Sequence, residues 1–137
     1  MAAKVRDALL RDGYSVYSEV PLMSQCIDIV AVDENSDRVL AIECKLRDWR
    51  RALTQVTSHR LACDEVAICL PLVDKRSAPL DQCQQSGVGL LLYDDEADSL
   101  TVVVEPTLID QQWQPARSWL LAAIAACQHK GRGGSEI

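Results

Sequence analysis

Two apolar runs joined by a short polar connector decide how this chain folds: residues 26–32 read Cys-Ile-Asp-Ile-Val-Ala-Val, and residues 38–46 read Arg-Val-Leu-Ala-Ile-Glu-Cys-Lys-Leu. Both runs are rich in β-branched and aliphatic residues, which favour strands. The connector, residues 33–37, is Asp-Glu-Asn-Ser-Asp, so we expect an antiparallel hairpin. Together with an extended run at residues 14–20, these segments predict a three-stranded meander.

The rest of the chain alternates helical and extended patterns around this meander. The predicted helices are residues 2–11, 49–62, 77–85 and 116–128, and the further strands are residues 64–70, 88–93 and 100–105. A strand reached through a helix is usually parallel to the strand before it, so the order αβββαβαββ predicts an α/β fold with a mixed central sheet flanked by helices. We expect one domain over residues 1–128 and a disordered tail over residues 129–137, which contain three glycines.

The composition narrows the function classes. With 48% hydrophobic and 25% charged residues in 137, the chain is typical of soluble globular proteins rather than of disordered or fibrous ones. The net charge of -6 argues against a general nucleic-acid coat protein, although residues 38–60 hold six basic and two acidic residues. The six cysteines form no C-x-x-C pair and are expected to pack as small apolar residues. Because no apolar run is long enough for a membrane span or signal peptide, we expect a cytoplasmic protein.

Three charged residues interrupt the two strands that define the meander. Glu43 and Lys45 share one face of their strand, because side chains alternate, and a suitable register would bring Asp28 beside them. Mg²⁺ often takes one or two carboxylates together with waters and substrate phosphates, so Asp28, Glu43 and the carbonyl of Cys44 are candidate ligands. Lys45 would orient the attacking water or stabilise phosphate charge in a metal-assisted phosphodiester hydrolysis. The alternative is a strand-end salt bridge between Lys45 and the acids.

These residues form part of a larger resemblance. On the helix–meander–helix–strand background, the chain resembles the PD-(D/E)xK (restriction endonuclease-like) nuclease superfamily from about residue 13 to residue 106, through Glu19, Ile27-Asp28-Ile29-Val30, Glu43-Cys44-Lys45 and Gln55. The resemblance implies an αβββαβ core, a Mg²⁺ or Mn²⁺ ion bound by Asp28 and Glu43, and catalytic assistance by Lys45. Ile27 replaces the proline of the family name.

Two further residues are candidates through the same resemblance. Glu19, at the end of the first strand, stands where related proteins often carry an additional acid near the metal, and an exposed strand-end carboxylate is the alternative. Gln55 resembles the first residue of the Q-x-x-x-Y element of RecB-type nucleases, with His59 in place of tyrosine. Gln55 would touch a metal-bound water or a phosphate, and a solvated helix glutamine is the alternative.

Basic residues follow the Glu-x-Lys strand directly. Arg47, Arg50 and Arg51 lie at the start of the second helix, where they are candidate phosphate contacts. His59 is a candidate nucleic-acid contact or proton carrier near the end of that helix. The alternative for all four is an ordinary solvated helix face.

The sequence therefore predicts a divalent-metal-dependent nuclease, most simply one that acts on DNA. The alternative is a catalytically inactive member of the same fold that binds nucleic acid or protein, because a fold fixes geometry and not activity. No helix-turn-helix, zinc finger or basic arm is recognisable, so we expect a homodimer or a partner protein to supply target specificity.

Overall fold

The computed structural model describes residues 1–72 and 77–135, and these residues fold around a six-stranded sheet. The strands are β1 Tyr14–Leu22, β2 Gln25–Asp33, β3 Val39–Cys44, β4 Glu65–Pro71, β5 Gly89–Asp94 and β6 Ser99–Val104. The helices are α1 Ala2–Arg11, α2 Trp49–Ser58, α3 Ser77–Ser86 and α4 Gln114–Ser135, with a 3₁₀ turn at His59–Leu61.

The strands lie in the sheet in the same order as in the chain. Strands β1, β2 and β3 form the antiparallel meander, β4 and β5 add in parallel after helices α2 and α3, and β6 returns antiparallel to β5. The predicted α/β architecture, an αβββαβ core with a mixed sheet flanked by helices and further strands and a helix after it, is confirmed.

Each face of the sheet packs against its own set of helices. Val5 and Leu9 of α1 cover one face, where they meet Ile29 of β2 and Ile42 of β3. On the other face, buried side chains of α2 and α4 pack against alternate residues of the same strands. Because side chains alternate along a strand, Glu43 belongs to the face that α2 covers.

Two helices end differently from the prediction. Helix α2 stops at Ser58 and tightens into the 3₁₀ turn instead of continuing to residue 62. Helix α4 runs from Gln114 to Ser135, into the segment that we expected to be a disordered tail, and residues 136–137 of that tail lie outside the described residues. No helix within residues 1–72 and 77–135 is both long and apolar enough to cross a membrane.

A hydrogen-bond network centred on Asp64 anchors the long connection between β6 and α4. The Asp64 carboxylate accepts from the backbone N–H of Val39 at 2.8 Å, from Gln112 Nε2 at 2.8 Å and from Arg117 Nη2 at 3.1 Å. Its carbonyl oxygen accepts from the N–H of Ile109 at 2.7 Å. Asp64, the residue before β4, therefore links the start of β3 to the β6–α4 connection and to α4.

Candidate functional site

Asp28 and Glu43 meet at the point where the pairing of β2 and β3 ends. The last paired residues are Ile29 and Ile42, so the next step of this register sets Asp28 alongside Glu43. Asp28 Oδ2 accepts a hydrogen bond of 3.0 Å from the backbone N–H of Cys44, which fixes the Asp28 carboxyl group at the end of β3. The Asp28 carboxyl group lies close enough to Glu43 to raise the pKa of Glu43. The juxtaposition expected from the sequence is therefore present.

Glu43 is buried and has a second partner. Only 2% of Glu43 and 1% of His59 is exposed, and Glu43 Oε1 lies 2.9 Å from His59 Nε2. A histidine so deeply buried does not reach a polymer at the surface. His59 is therefore too deeply buried to be the nucleic-acid contact that the sequence predicted. It contacts the candidate metal ligand Glu43 instead.

The sequence carried a signal for this position of His59. Trp49, Ala52 and Val56 are the buried residues of α2, and His59 follows Val56 by three positions on the same line. The 3₁₀ turn that begins at His59 directs its ring under the sheet end. A polar residue on an otherwise apolar helical stripe points to a buried polar partner, and here that partner is Glu43.

The surroundings of Glu43 favour its protonated form. Burial is the largest influence and raises the pKa of Glu43. The hydrogen bond from His59 lowers this pKa, and the neighbouring Asp28 carboxyl group raises it, so the net shift is upward from 4.5. The folded protein therefore binds a proton at Glu43 more tightly than the unfolded chain does. The stability that Glu43 contributes to the folded state is fully present below about pH 4.5, and it is lost as the pH rises through the pKa that Glu43 has in the folded protein.

Glu43→Gln should therefore stabilise the protein at pH 7. The amide has the shape of the protonated carboxyl group, can accept from His59 and donate to Asp28, and carries no charge to bury. We expect the free energy of unfolding to rise by about 1 kcal/mol, the low end for replacing buried charge by neutral groups. Denaturant unfolding with EDTA present measures it, and the gain over wild type should vanish below about pH 4.5. Equal stability at pH 7 would contradict the upward shift.

Glu19 faces the two acids from β1. The β1–β2 ladder pairs Ser18 with Ile29 and Val20 with Ile27, and skips the position where Glu19 would oppose Asp28. Glu19 is exposed there and has a φ of 52°, a conformation uncommon for residues other than glycine, asparagine and aspartate. Burial and then the charges of Glu19, Asp28 and Glu43 raise the pKa of the Cys26 thiol. Glu19 therefore lies across from Asp28 in the sheet, but the described residues do not bring the three acids into one metal-holding group.

Lys45 follows the end of β3. Its backbone N–H donates to the carbonyl of Cys69 at 3.1 Å, which extends the β3–β4 ladder by one residue, and its side chain is half-buried. Within residues 1–72 and 77–135, Lys45 forms no ion pair with Asp28 or Glu43, so the strand-end salt bridge considered above is not formed. The Cys44 side chain, between Glu43 and Lys45, packs on the opposite face of the sheet in the same cluster as Cys69, and both thiols are free.

The oxygen donors at this sheet end fit an open magnesium-type site. Asp28 and Glu43 supply two adjacent carboxylates, and Gln55, one helical turn before His59, has a buried side-chain oxygen Oε1 without a hydrogen-bond partner in the described part of the chain. The described residues contain no group of three or more His, Cys, Asp and Glu side chains that could hold a metal ion. Mg²⁺ is commonly bound by one or two carboxylates, with waters and substrate completing its shell, whereas structural zinc needs four protein ligands.

The three predicted arginine contacts are all exposed. Arg47 lies just before α2, and Arg50 and Arg51 lie in its first turn. The Arg50 guanidinium stacks over the ring of Trp49, 4.5 Å from its centroid, and Asp48 caps the helix by accepting from the N–H of Arg51 at 3.1 Å. The β3–α2 connection thus presents positive charge next to Lys45.

Three of the solved structures that are similar to this chain cover most of its length. A protein of unknown function from Silicibacter pomeroyi, SPO1766, has a TM-score of 0.69 and 19% identity over 96% of this chain and 84% of its own. An XisH family protein from Nostoc punctiforme has a TM-score of 0.54 and 20% identity over 80% and 98% of the two chains. An fdxN element excision controlling factor from Anabaena variabilis has a TM-score of 0.54 and 18% identity over 79% and 96%.

These similarities show a shared fold. No protein-family model matches the sequence, and no curated protein matches it. The structural neighbours extend over most of this chain and most of their own, so the meander, the crossover helix and the following strands belong to one recurring architecture.

Proposed function

We propose that this protein is a divalent-metal-dependent nuclease that hydrolyses phosphodiester bonds in DNA. The observation that carries the proposal is the meeting of the Asp28 and Glu43 carboxyl groups at one sheet end, with Lys45 two residues further along β3. One structural neighbour is named for controlling the excision of an element, which favours DNA as the polymer. The acidic pair and the lysine also match the signature of the superfamily that the sequence resembles.

Asp28 and Glu43 would hold the cation, with the Cys44 carbonyl and Glu19 as further oxygen donors. When bound, Mg²⁺ or Mn²⁺ supplies Lewis-acid activation of water and neutralises phosphate charge. Because the pKa of Glu43 is raised, a proton competes with a cation for its carboxylate more strongly than it would at a free glutamate. Metal binding should therefore strengthen as the pH rises.

The remaining residues would act on the substrate. Lys45 would stabilise the negative charge that grows on the phosphate, and Gln55 would orient water through its unpartnered Oε1. Arg47, Arg50 and Arg51 would hold neighbouring phosphates, since guanidinium groups make paired hydrogen bonds to them. A second protomer or a partner protein would add the sequence or structure specificity.

A second candidate function is binding without catalysis. It is favoured by the absence, among residues 1–72 and 77–135, of a ready group of three metal-ligating side chains and by the raised pKa of Glu43, which makes its carboxylate a weaker competitor for cations against protons. In that case the same face would bind nucleic acid or a protein through its arginines. The two candidates differ in whether the acids bind a divalent cation.

A cleavage assay tests the nuclease proposal. Purified protein with Mg²⁺ or Mn²⁺ should nick or degrade linear, supercoiled or branched DNA, and EDTA should stop it. Lys45→Ala should lower the rate by about 100-fold, the usual cost of removing one group that stabilises transition-state charge. The matched control is Lys4→Ala, because Lys4 is an exposed lysine on the opposite side of the sheet that only pairs with Asp95. Cleavage that persists in EDTA, or that is equal in both variants, would contradict the proposal.

A further inference from the structure

His59 is held in place more firmly than a solvated helix residue would need to be. Its ring is 1% exposed, and its carbonyl oxygen accepts from the N–H groups of Ala62 at 3.1 Å and Cys63 at 3.2 Å. Both the backbone and the ring of His59 are therefore fixed before any ligand binds. The ring makes one hydrogen bond in the described structure, to Glu43.

The partners of the ring define its chemistry when Glu43 is ionised. A carboxylate only accepts hydrogen bonds, so His59 Nε2 carries the hydrogen that points to Glu43 Oε1. His59 Nδ1 is buried and has no partner among the described groups. A buried unpaired acceptor is better tolerated than a buried unpaired N–H, which also favours the tautomer with its hydrogen on Nε2.

The hydrogen bond from His59 restricts the orientation of the Glu43 carboxylate. With Oε1 engaged by His59, rotation of the carboxylate is blocked, and Glu43 stays in the orientation in which it meets Asp28. Partners that orient a metal ligand in this way typically change metal affinity by 10- to 100-fold when they are removed. Without a donor, the buried carboxylate would also lose the bond that compensates for its burial.

We propose that His59 is a positioning residue of the site, whose Nε2–H holds Glu43 Oε1 so that the carboxylate is presented to a divalent cation beside Asp28. The proposal rests on the proposed metal-dependent function and assigns His59 a contact with Glu43 instead of with the substrate. It also gives a reason for a histidine at this position just after α2, where its Nε2–H reaches a buried carboxylate.

Two nearly isosteric variants test the proposal. Glutamine at position 59 can place an amide N–H close to where Nε2 lies, whereas methionine has a similar length and volume but no donor. The measurement is the Kd of Mn²⁺ by titration calorimetry on the intact chain, with DNA cleavage measured separately as kcat and as KM for the metal. The matched control is Thr57→Ala, because Thr57 is exposed on the same helix and bonds only the carbonyl of Leu53.

We expect His59→Met to weaken Mn²⁺ binding by about 10- to 100-fold and His59→Gln to restore it to within about threefold of wild type. The loss should appear mainly in KM for the metal. Equal Mn²⁺ affinity in wild type and His59→Met would overturn the proposal, and so would an equal loss in both variants, because the hydrogen-bond donor would then not matter. A wild-type protein that binds no Mn²⁺ would instead overturn the proposed function itself.

Discussion

Glu43→Gln is expected to lower metal-dependent DNA cleavage by about 100- to 1000-fold. The amide keeps the shape of Glu43 and its contacts with His59 and Asp28, but it removes one of the two anionic ligands. Initial rates of nicking at saturating Mn²⁺ measure the loss, and Mn²⁺ calorimetry shows whether it comes from weaker metal binding. Because the same variant is expected to be more stable at pH 7, reduced activity could not be attributed to unfolding.

Glu105→Gln provides the control for this change. Glu105 is an exposed glutamate just after β6, and its replacement by glutamine alters the net charge by the same amount. The Glu105→Gln variant should cleave DNA at the wild-type rate. If the two glutamine variants had equal activity, Glu43 would have no catalytic part, and the binding-only alternative would become the better description.

Asp64→Ala is expected to lower the free energy of unfolding by about 3 kcal/mol, the low end of the cost of breaking a buried charge pair, because the Asp64 and Arg117 side chains are only partly buried. The substitution leaves the N–H of Val39 and the side chains of Gln112 and Arg117 without their shared acceptor. For a domain of this size the change corresponds to a fall of roughly 10 °C in Tm. Thermal and denaturant unfolding measure it.

The effect of Asp64 should depend on pH. Burial raises the pKa of Asp64, but hydrogen bonds from the Val39 N–H and Gln112, together with the charge of Arg117, outweigh it and leave the pKa below 3.8. The stabilisation is therefore present above about pH 3.8 and is lost as the pH falls through the lowered pKa. Asp110→Ala, at an exposed aspartate, should change stability by less than about 0.5 kcal/mol. Equal stability of the two variants would contradict the anchoring role of Asp64.

Most of the architecture could be predicted from the sequence because its patterns are local. Alternation and β-branched residues define the strands, and the polar connector at residues 33–37 defines the hairpin. The meeting of Asp28 and Glu43 was predicted only for a suitable register, and the structure has that register, in which Ile29 pairs with Ile42. The role of Lys45 and of the metal remains a prediction.

Other features depend on three-dimensional contacts that no local pattern encodes. The pairing of β1 with β2 is interrupted at Glu19, where the backbone adopts a left-handed conformation that is unfavourable for glutamate. The hydrogen bond between His59 and Glu43 joins the turn after α2 to the end of β3, so the apolar line of α2 indicates that His59 is buried but not which residue it bonds. Helix α4 continues past the point where its apolar spacing ends, so the periodicity of the sequence could not predict the C-terminal end of this helix.

The chain-order arrangement of the sheet also has a consequence for synthesis on the ribosome. Every candidate residue of the site lies within residues 14–61, and each strand in that stretch pairs with the strand made just before it. The acidic centre can thus begin to assemble while the second half is still being translated, at about 5–20 residues per second. Until β4 emerges, the outer edge of β3 stays open, and the nascent chain is exposed to misassembly at that edge for a few seconds.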